Sequence, residues 1–309
     1  MKTCLIIDLM HESITPLLEE IGWKADYRPD IKRAEILKII PQYEGLIVRS
    51  KTAIDQEIIE RANKLRWIAR AGAGLDQLDT EALEEKGIRV VNAPEGNRDA
   101  LGEHAITILL TLLNKVHLAD RDIRRGTWDR EAMRGTELMG KTISIIGYGN
   151  MGQAFARRLQ GFGVEVLAYD KYKKSYGNEF AREASLEEIF DKTDILSLHV
   201  PLTEETHFML DHAYLSRFKK DIYLLNTARG KNISLKTLAE ALEKGRLKGA
   251  ALDVLENEKI NQFSVEQQHY FNQLIQSDKV VFTPHVGGWT FESYEKINQV
   301  LVSKIKSLN

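Results

Sequence analysis

Three glycines stand at the spacing that a dinucleotide-binding turn requires. Gly147, Gly149 and Gly152 lie in the stretch ISIIGYGNMG, between a β-branched run and a stretch with helical spacing. The first glycine allows a tight turn, the second lets the backbone approach a pyrophosphate, and the third lets the helix lie close to the strand. Because the amide groups and the dipole at a helix N-terminus favour phosphate, this stretch predicts a dinucleotide site.

An acidic residue follows this turn at the distance typical of a ribose contact. Asp170 ends the next predicted strand, VEVLAYD, 18 residues after Gly152. Its carboxylate can accept hydrogen bonds from both hydroxyls of an adenosine ribose, and it would repel a 2′-phosphate. We therefore predict NAD as the preferred cofactor; the structural alternative is an ordinary turn with a surface aspartate. Lys171, Lys173 and Lys174 follow closely, so some use of NADP stays open.

Three later strand ends carry residues suited to acid–base chemistry on a keto acid. Arg229 follows one predicted strand, Asp253, Glu256 and Glu258 follow the next, and His285 follows a third. Ligands collect outside the carboxyl ends of strands in open α/β sheets. Reduction of a 2-keto acid requires an arginine for the carboxylate, a proton donor for the carbonyl oxygen and a source of hydride. Histidine suits the proton donor because its pKa lies near physiological pH, and an adjacent carboxylate would raise that pKa.

Each of these residues also has a structural interpretation. Arg229 alone would suit a surface ion pair, His285 a structural turn, and the two glutamates a solvated loop. Other histidines lack a matching constellation, and we expect surface or packing roles for them, although His199 ends a strand of the cofactor domain. They are His104, His117, His199, His207, His212 and His269.

Short β-branched runs alternate with amphipathic segments along almost the whole chain. The amphipathic segments include 55–63, 153–160 and 234–244. This alternation predicts parallel sheets with helices on both faces. The predicted strands are 4–8, 45–50, 67–72, 88–92, 142–147, 164–170, 194–200, 222–228, 249–254 and 280–285.

The alternation breaks once, which predicts two domains. Residues 99–125 resemble one long helix, an irregular stretch follows at 126–141, and a new βαβ series opens at Thr142. We predict one domain over 1–98 and a second over 99–283. The segment 284–309 contains a final helix at 291–308, which we expect to return to the first domain. Its Tyr294, Ile297, Leu301 and Ile305 share one face.

Composition and charge exclude several classes of protein. With 309 residues, 43% of them hydrophobic and 28% charged, the chain suits two globular domains. The net charge of −2 gives no electrostatic reason to expect nucleic acid or an anionic membrane. The lone Cys4 excludes an internal disulfide. The first residues suggest a strand rather than a signal peptide, and the apolar stretch 105–113 is too short to span a bilayer. We therefore expect a cytoplasmic protein.

The motifs taken together resemble a known family over nearly the whole chain. The matching segments are IVRSKTAID (47–55), RAGAGLDQLD (70–79), VVNAPEGN (90–97), GTELMGKTISIIGYGNMG (135–152), LSLHVPLTEETHFML (196–210), LLNTARG (224–230), GAALDV (249–254) and FTPHVGG (282–288). They resemble the D-isomer-specific 2-hydroxyacid dehydrogenases, and among these most the D-3-phosphoglycerate dehydrogenases. The resemblance implies two doubly wound parallel-sheet α/β domains, with a Rossmann NAD domain inserted in a flavodoxin-like substrate domain.

The resemblance also implies roles for individual residues. Arg229 matches the arginine that holds the substrate carboxylate and polarises the carbonyl, His285 matches the proton donor, and Glu258 matches the glutamate that pairs with this histidine. Positions that match cofactor contacts are Gly147, Gly149, Asn150, Met151, Gly152, Asp170, His199, Val200, Pro201, Thr206, Thr227, Ala228, Asp253, Gly287 and Gly288. In the first domain, Ala73 and Gly74 match the loop whose amides receive the substrate carboxylate. Candidates for the far end of the substrate are Arg49, Ser50, Arg70, Asn97 and Arg98.

Three departures from the family pattern have consequences. Asn150 replaces the arginine common at the pyrophosphate, which removes one charge-assisted contact. Lys259 replaces the proline that usually follows the glutamate, and the stretch 256–275 is unusual, so Glu256 is an alternative partner of His285. The chain ends after its last helix, so we expect no serine feedback through a C-terminal regulatory domain.

The resemblance leaves the activity open between two enzymes and one binding protein. Arg49, Lys51, Arg70 and Arg98 favour an anionic tail such as the phosphate of 3-phosphoglycerate, in the serine pathway. The alternatives are a glyoxylate/hydroxypyruvate or other D-2-hydroxyacid reductase, and a NAD-sensing corepressor. A formate dehydrogenase is disfavoured, because that group carries glutamine where Glu258 stands. We also expect a homodimer, since in the family the region of the long helix joins two nucleotide domains.

Overall fold

The computed structural model describes residues 2–308, which divide into two compact units. The first unit contains the residues up to Asp99 together with those from Trp289 onward, and the second contains Ala100–Gly288. Each unit has its own sheet, and all strand pairs in both sheets are parallel. The predicted class, two doubly wound parallel α/β domains, is confirmed.

The sheet of the first unit has five strands. They are β1 (Lys2–Ile6), β2 (Trp23–Tyr27), β3 (Gly45–Val48), β4 (Trp67–Arg70) and β5 (Arg89–Asn92). Their order is β2-β1-β3-β4-β5, which is the flavodoxin-like order of doubly wound sheets. The helices are α1 (Ile14–Glu20), α2 (Arg33–Ile39), α3 (Gln56–Arg61), α4 (Thr80–Glu85), the start of α5 (Pro94–Leu113), and α12 (Phe291–Lys306).

Both faces of this sheet are buried, because successive strand residues point to opposite sides. Leu5 of β1 packs in a core with residues of α2, α3 and α4. Its neighbours Cys4 and Ile6 pack in a second core with residues of α1 and α12. A strand is apolar where both of its faces are buried, which is why residues 4–7 were recognisable as a continuous apolar run.

Helix α12 brings the end of the chain onto the first unit. Ile297, Leu301 and Ile305 are buried at helical spacing among residues of β1, β3 and β4. Gly96 permits this close packing, because a Cβ there would lie 2.7 Å from the Ile297 Cα. Near the other end of the helix, Lys304 donates to both carboxylate oxygens of Glu95 at 3.0 and 2.8 Å.

The sheet of the second unit has seven strands. They are β6 (Thr142–Ile146), β7 (Glu165–Tyr169), β8 (Arg182–Glu183), β9 (Ile195–Leu198), β10 (Ile222–Asn226), β11 (Leu247–Leu252) and β12 (Val280–Phe282). The helices are the rest of α5, α6 (Val116–Arg124), α7 (Asn150–Arg158), α8 (Leu186–Lys192), α9 (His212–Ser216), α10 (Leu235–Glu243) and α11 (Val265–Ile275). None of the helices between residues 2 and 308 has the length and apolar character needed to cross a membrane.

The strand order of the second unit creates a crevice between β6 and β9. The order is β12-β11-β10-β9-β6-β7-β8. From β6 the chain adds β7 and β8 on one side, and then β9 to β12 on the other. The order therefore reverses between β6 and β9, and ligands of doubly wound folds bind at the carboxyl ends of the strands at such a reversal.

Two strands were absent from the sequence prediction. β2 is an edge strand, paired only with β1, and three of its five residues, Lys24, Asp26 and Tyr27, are polar or amphipathic. An edge strand needs no continuous apolar run, because one side of it has no strand partner. β8 has only two residues, Arg182 and Glu183, which is too short for periodicity to detect.

The single helix predicted over 99–125 is wrong. The structure has two helices, since α5 already begins at Pro94 and ends at Leu113, and α6 begins at Val116. Lys115 between them has a φ of 52°, in the left-handed region that ends an α-helix. Since α5 ends in an apolar stretch and α6 is amphipathic, both segments have a sequence typical of a helix. The break between them was therefore not recognised.

The second unit extends beyond the boundary predicted at residue 283. Residues 284–288 belong to it, because the backbone amides of Val286 and Gly287 donate to the carboxylate of Asp253. Several predicted strands also end a few residues early, as β12 does at Phe282. The residues left over lie in loops at the carboxyl ends of the strands, where the candidate site residues are found.

Candidate functional site

The glycine turn joins β6 to α7. Gly147 has a φ of 94°, and a Cβ there would lie 2.6 Å from the carbonyl oxygen of His199. A Cβ at Gly152 would lie 2.2 Å from the carbonyl oxygen of Gly147. Around Gly149 no heavy atom lies within 4 Å of the Cβ position, so space is open beside the backbone. Gly147 and Gly152 thus permit close backbone packing, and Gly149 borders the open space, as a pyrophosphate site requires.

Asp170 lies beside this turn at the end of β7. One carboxylate oxygen accepts the backbone N–H of Tyr148 at 3.0 Å, and the other accepts that of Tyr172 at 3.1 Å. Asn150 is exposed as the first residue of α7, and Met151 follows it half-buried. The carboxylate therefore helps to fix the glycine turn, in addition to any contact with a ribose.

Two buried polar atoms at neighbouring strand ends have no hydrogen-bond partner in the structure. They are Nδ1 of His199, after β9, and Oγ1 of Thr227, after β10. Burial lowers the pKa of His199 to about 3, so the ring is neutral, and its Nε2 lies 2.8 Å from the Ser197 hydroxyl. Buried polar atoms without partners are costly, so these atoms, with the open space at Gly149, fit a bound dinucleotide at this crevice.

The loop after β9 holds four of the predicted cofactor contacts, which are His199, Val200, Pro201 and Thr206. Val200 is half-buried and Pro201 exposed, and the Thr206 hydroxyl donates to the Pro201 carbonyl at 2.7 Å. Glu205 accepts from Lys171 at 2.6 Å and from the Tyr172 hydroxyl at 3.1 Å. The loops after β7 and β9 are therefore connected, and the Thr206 hydroxyl closes its own turn.

Arg229 lies in a tight loop after β10 that packs on the loop after β11. Its backbone N–H donates to the Asn232 side chain at 3.1 Å, and its carbonyl accepts from Asn226 at 3.0 Å. Its guanidinium donates to the carbonyl of the buried Ala228 at 2.7 Å. A Cβ at Gly230 would lie 1.7 Å from the carbonyl oxygen of Leu255, so only glycine permits this packing. Both sides of the Arg229 backbone are thus fixed.

His285 and Glu258 form an ion pair on the loops after β12 and β11. The imidazole Nδ1 lies 2.8 Å from a Glu258 carboxylate oxygen, and about half of each side chain is exposed. The hydrogen bond that His285 donates to Glu258 raises the pKa of His285, partial burial opposes the shift, and the charges of Glu258 and Asp253 add to it. Glu258, the predicted partner of His285, therefore contacts the imidazole.

The backbone at His285 is in an unusual conformation. Its φ is 54°, in the left-handed region that L-residues other than glycine seldom adopt. The N–H of His285 donates to the carbonyl of Asp253 at 2.8 Å, which holds the residue there. Such conformations cost about 1–3 kcal/mol and cluster at functional sites, where surrounding contacts fix them.

The carboxylate of Asp253 organises the loop that carries His285. It is 1% exposed and accepts from the Thr283 hydroxyl at 2.6 Å and from the amides of Val286 and Gly287 at 2.9 and 2.8 Å. Burial would raise the pKa of Asp253, but hydrogen bonds from His104, Thr283 and the two amides outweigh burial and lower it. Asp253 is thus an ionised anchor beneath His285.

His104 was predicted to have a surface or packing role, and the structure gives it a polar one. From α5, its Nε2 lies 3.2 Å from a carboxylate oxygen of Asp253 and 3.0 Å from the Thr283 hydroxyl. No local pattern around residue 104 indicates this contact. Only the fold brings α5 to the ends of β11 and β12.

Glu256, the alternative partner of His285, is engaged elsewhere. One carboxylate oxygen accepts the backbone N–H of Leu235, the first residue of α10, at 2.8 Å. The other accepts from the side chain of Gln267 at 2.8 Å. Glu256 therefore ties α10 to α11, and the structure pairs His285 with Glu258.

The predicted substrate residues all lie in the first unit, at the ends of β3 and β4 and in the first turns of α5, which follows β5. Arg70 occupies the space beside Gly72, where a Cβ would lie 1.6 Å from its Nη1, and Asn97 has a buried carbonyl oxygen without a partner. Ser50 and Arg98 are exposed, Ala73 and Gly74 are half-buried, and the Ala73 carbonyl accepts from Asn92 at 2.6 Å. The charge of Lys51 favoured a substrate with an anionic tail, but its ammonium group donates to the carbonyls of Pro29 and Ile31.

Comparison with known proteins places this arrangement in a family. Residues 106–287 match the family model described as D-isomer specific 2-hydroxyacid dehydrogenase, NAD binding domain. The chain is 35% identical over 313 residues to D-3-phosphoglycerate dehydrogenase of Methanocaldococcus jannaschii, with 100% of this chain and 57% of the relative covered. It is 36% identical over 275 residues to hydroxypyruvate reductase of Thermotoga maritima, with 89% and 88% covered. The chain thus spans little more than half of the first relative and most of the second.

A solved structure agrees with these relatives. The D-lactate dehydrogenase of Aquifex aeolicus, determined with NAD and lactic acid, is 27% identical and superposes with a TM-score of 0.81, covering 99% of this chain and 95% of that one. The predicted family and its NAD cofactor are thereby confirmed. The chain belongs to the D-isomer specific 2-hydroxyacid dehydrogenases, and its second unit contains the NAD-binding domain of that family.

Proposed function

We propose that this chain is a NAD-dependent dehydrogenase that interconverts 3-phosphoglycerate and 3-phosphohydroxypyruvate, as in serine biosynthesis. The observation that carries the proposal is the His285–Glu258 pair at 2.8 Å, on a loop anchored by Asp253. The phosphorylated substrate is supported by two arginines of the first unit, Arg49 and Arg70. The relative from Methanocaldococcus jannaschii bears this name.

A reductase of hydroxypyruvate or glyoxylate is the second candidate. It is favoured by the relative from Thermotoga maritima, which bears the name hydroxypyruvate reductase and is covered over 88% of its length. It is also favoured by Lys51, whose ammonium group is occupied by backbone carbonyls. Both candidates use the same acid–base residues, so the substrate alone distinguishes them.

His285 and Arg229 have complementary roles in this proposal. When bound, NAD⁺ would accept a hydride in the oxidative direction, and NADH would supply one in the reductive direction. The Nδ1 of His285 is occupied by Glu258, so its Nε2 is the atom available for the substrate oxygen. In reduction, protonated Nε2 donates to the carbonyl oxygen as negative charge develops there; in oxidation, neutral Nε2 takes the hydroxyl proton. Arg229 holds the substrate carboxylate through paired N–H donors.

The proposal extends to the remaining predicted contacts and to the location. Asp170 would bind the ribose, the backbone at Gly149, Asn150 and Met151 would bind the pyrophosphate, and Thr227, Gly287 and Gly288 would contact the nicotinamide end. A cytoplasmic location is proposed from the lone Cys4, since proteins of reducing compartments seldom depend on disulfides.

The decisive experiment is a substrate panel followed by NADH absorbance. We expect 3-phosphohydroxypyruvate to be reduced with a higher kcat/KM than hydroxypyruvate, glyoxylate or pyruvate. His285→Ala should lower kcat about 10²- to 10⁴-fold, the usual contribution of a general acid, with NADH affinity retained. A higher kcat/KM for hydroxypyruvate would favour the second candidate. Binding of NADH without turnover of any keto acid would favour a NAD-sensing protein.

The pH dependence should follow the Glu258–His285 pair. Since Glu258 raises the pKa of His285, the acid form persists above the ordinary value of about 6.5. Reduction should fall as pH rises through the raised pKa, and oxidation should rise. Glu258→Gln should move the reductive profile to lower pH.

Glu256→Gln is the matched control and should leave the pH profile of reduction in place. It should lower thermal stability, because it weakens the contacts of residue 256 with α10 and α11. The opposite pattern would assign the pairing to Glu256.

Cofactor choice should depend on the charge of Asp170. Asp170→Asn keeps a side-chain oxygen for the Tyr148 amide but removes the charge that opposes a 2′-phosphate. We expect the kcat/KM ratio of NADPH to NADH to rise about 10- to 100-fold, the scale of one relieved like-charge contact. Asp170→Ala should also weaken NADH binding, because the turn loses its anchor. Equal use of both cofactors by the unaltered protein would contradict this role.

We also propose a homodimer formed through the second unit. Trp128 is 80% exposed and Met139 73%, and Val116 and Ile123 of α6 are about half exposed. A contiguous exposed apolar surface marks an association site, and Ile123, Trp128 and Met133 line one shared pocket. Light scattering at micromolar concentration should give twice the 35.2 kDa of one chain. Trp128→Glu should yield monomers, whereas Val265→Glu, at a side chain 91% exposed on α11, should not. A monomeric unaltered protein would contradict the proposal.

A further inference from the structure

Arg49 of the first unit packs on two aromatic rings of the returning segment. Its guanidinium carbon lies 4.1 Å from the ring centroid of Trp289 and 4.9 Å from that of Tyr294. The two ring centroids are 5.9 Å apart. A guanidinium is attracted to the face of an aromatic ring both by the ring quadrupole and by stacking of the flat group. We call Arg49, Trp289 and Tyr294 the arginine–aromatic cluster.

The backbone of Arg49 is also anchored. Its N–H donates to a carboxylate oxygen of the buried Asp8 at 2.5 Å, and one guanidinium N–H donates to the carbonyl of Leu9 at 3.2 Å. Burial lowers the pKa of Arg49, while the nearby Tyr294 and Asp8 oppose that shift. The cation is therefore held at one place by contacts at both ends of its side chain.

Ring contacts hold a guanidinium without using its N–H donors. The group has five such donors in a planar fork that matches carboxylate and phosphate oxygens in pairs. The rings thus fix the group through its flat face, so that the N–H donors other than the one bonded to Leu9 can bind an anion. A lysine ammonium in the same position would lack both the flat face and the paired donors.

Trp289 is not a core residue. Its side chain is 62% exposed, and it is the first residue of the segment that joins the first unit again. An exposed tryptophan gains little from burial, so the contacts with Arg49 and Tyr294 are what distinguish Trp289 from Phe291, which is 94% exposed.

We propose that Trp289 and Tyr294 are positioning residues that hold Arg49 to receive a phosphate monoester at the far end of the substrate. They thereby set the preference for a phosphorylated over an unphosphorylated 2-keto acid. This inference rests on the proposed function for the identity of the substrate. It adds two residues that act through Arg49 and make no contact with the reacting atoms.

The kinetic test compares two substrates that differ only in the phosphate. Trp289→Leu should raise the KM for 3-phosphohydroxypyruvate about three- to fivefold, the scale of a cation–π contact at a partly exposed site, with kcat within about twofold. The KM for hydroxypyruvate should stay within about twofold. Trp289→Phe keeps a ring and should retain most of the preference, and Tyr294→Leu and Tyr294→Phe should behave in parallel. Phe291→Leu is the matched control and should match the unaltered protein for both substrates.

A second measurement separates this inference from the proposed function. Inorganic phosphate is titrated into the protein without substrate, and the fluorescence of Trp289 is obtained by subtracting the signal of Trp289→Phe. Trp23 and Trp67 are buried against each other, with centroids 4.9 Å apart, and Trp128 lies in the second unit. All three remain in Trp289→Phe, so the subtraction removes their signal. We expect a saturable change that Arg49→Met abolishes.

The outcomes are distinct. If hydroxypyruvate is the better substrate but phosphate still changes Trp289 fluorescence through Arg49, the proposed function fails and the cluster stands as a phosphate subsite. If Trp289→Leu raises KM equally for both substrates, or if phosphate leaves Trp289 fluorescence unchanged, the positioning role is overturned, whichever substrate is preferred.

Discussion

The buried carboxylate of Asp253 is the interaction on which the candidate active site depends. A charge at 1% exposure is tolerated only when donors surround it, and here a threonine hydroxyl, two backbone amides and His104 do so. Three of those donors, on Thr283, Val286 and Gly287, belong to the loop that carries His285, so satisfying the buried charge also shapes the loop. The left-handed backbone of His285 follows from this constraint, and Glu258 then meets the imidazole at 2.8 Å.

Two histidines at strand ends show how environment divides one residue type between two roles. Burial lowers the pKa of His199 to about 3, and no carboxylate is in contact with it to oppose the effect, so it is a neutral group of the cofactor crevice. Glu258 raises the pKa of His285, which keeps that ring available as an acid near neutral pH. The same physical terms, desolvation and a neighbouring charge, act at both positions with opposite results.

One rule of parallel sheets accounts for the distribution of the candidate residues in both units. In the first unit, Arg49 and the 71–74 loop follow β3 and β4, and in the second the glycine turn, Arg229 and His285 follow β6, β10 and β12. Strands buried on both faces leave no room for polar groups within them, so the chemistry collects in the loops at their ends. The sequence runs taken as strands extended into these loops by about one to three residues, most of them polar or small.

The sequence by itself determined the fold class, most strands, the glycine turn and, through family resemblance, the pairing of Glu258 with His285. These features depend on local periodicity or on short motifs. Only the tertiary structure decided that His104 contacts Thr283, 179 positions away, that Glu256 holds α10, and that Trp289 contacts Arg49. It also decided the edge strand β2 and the break at Lys115. Such contacts join distant segments, and a local pattern carries no information about which segments the fold brings together.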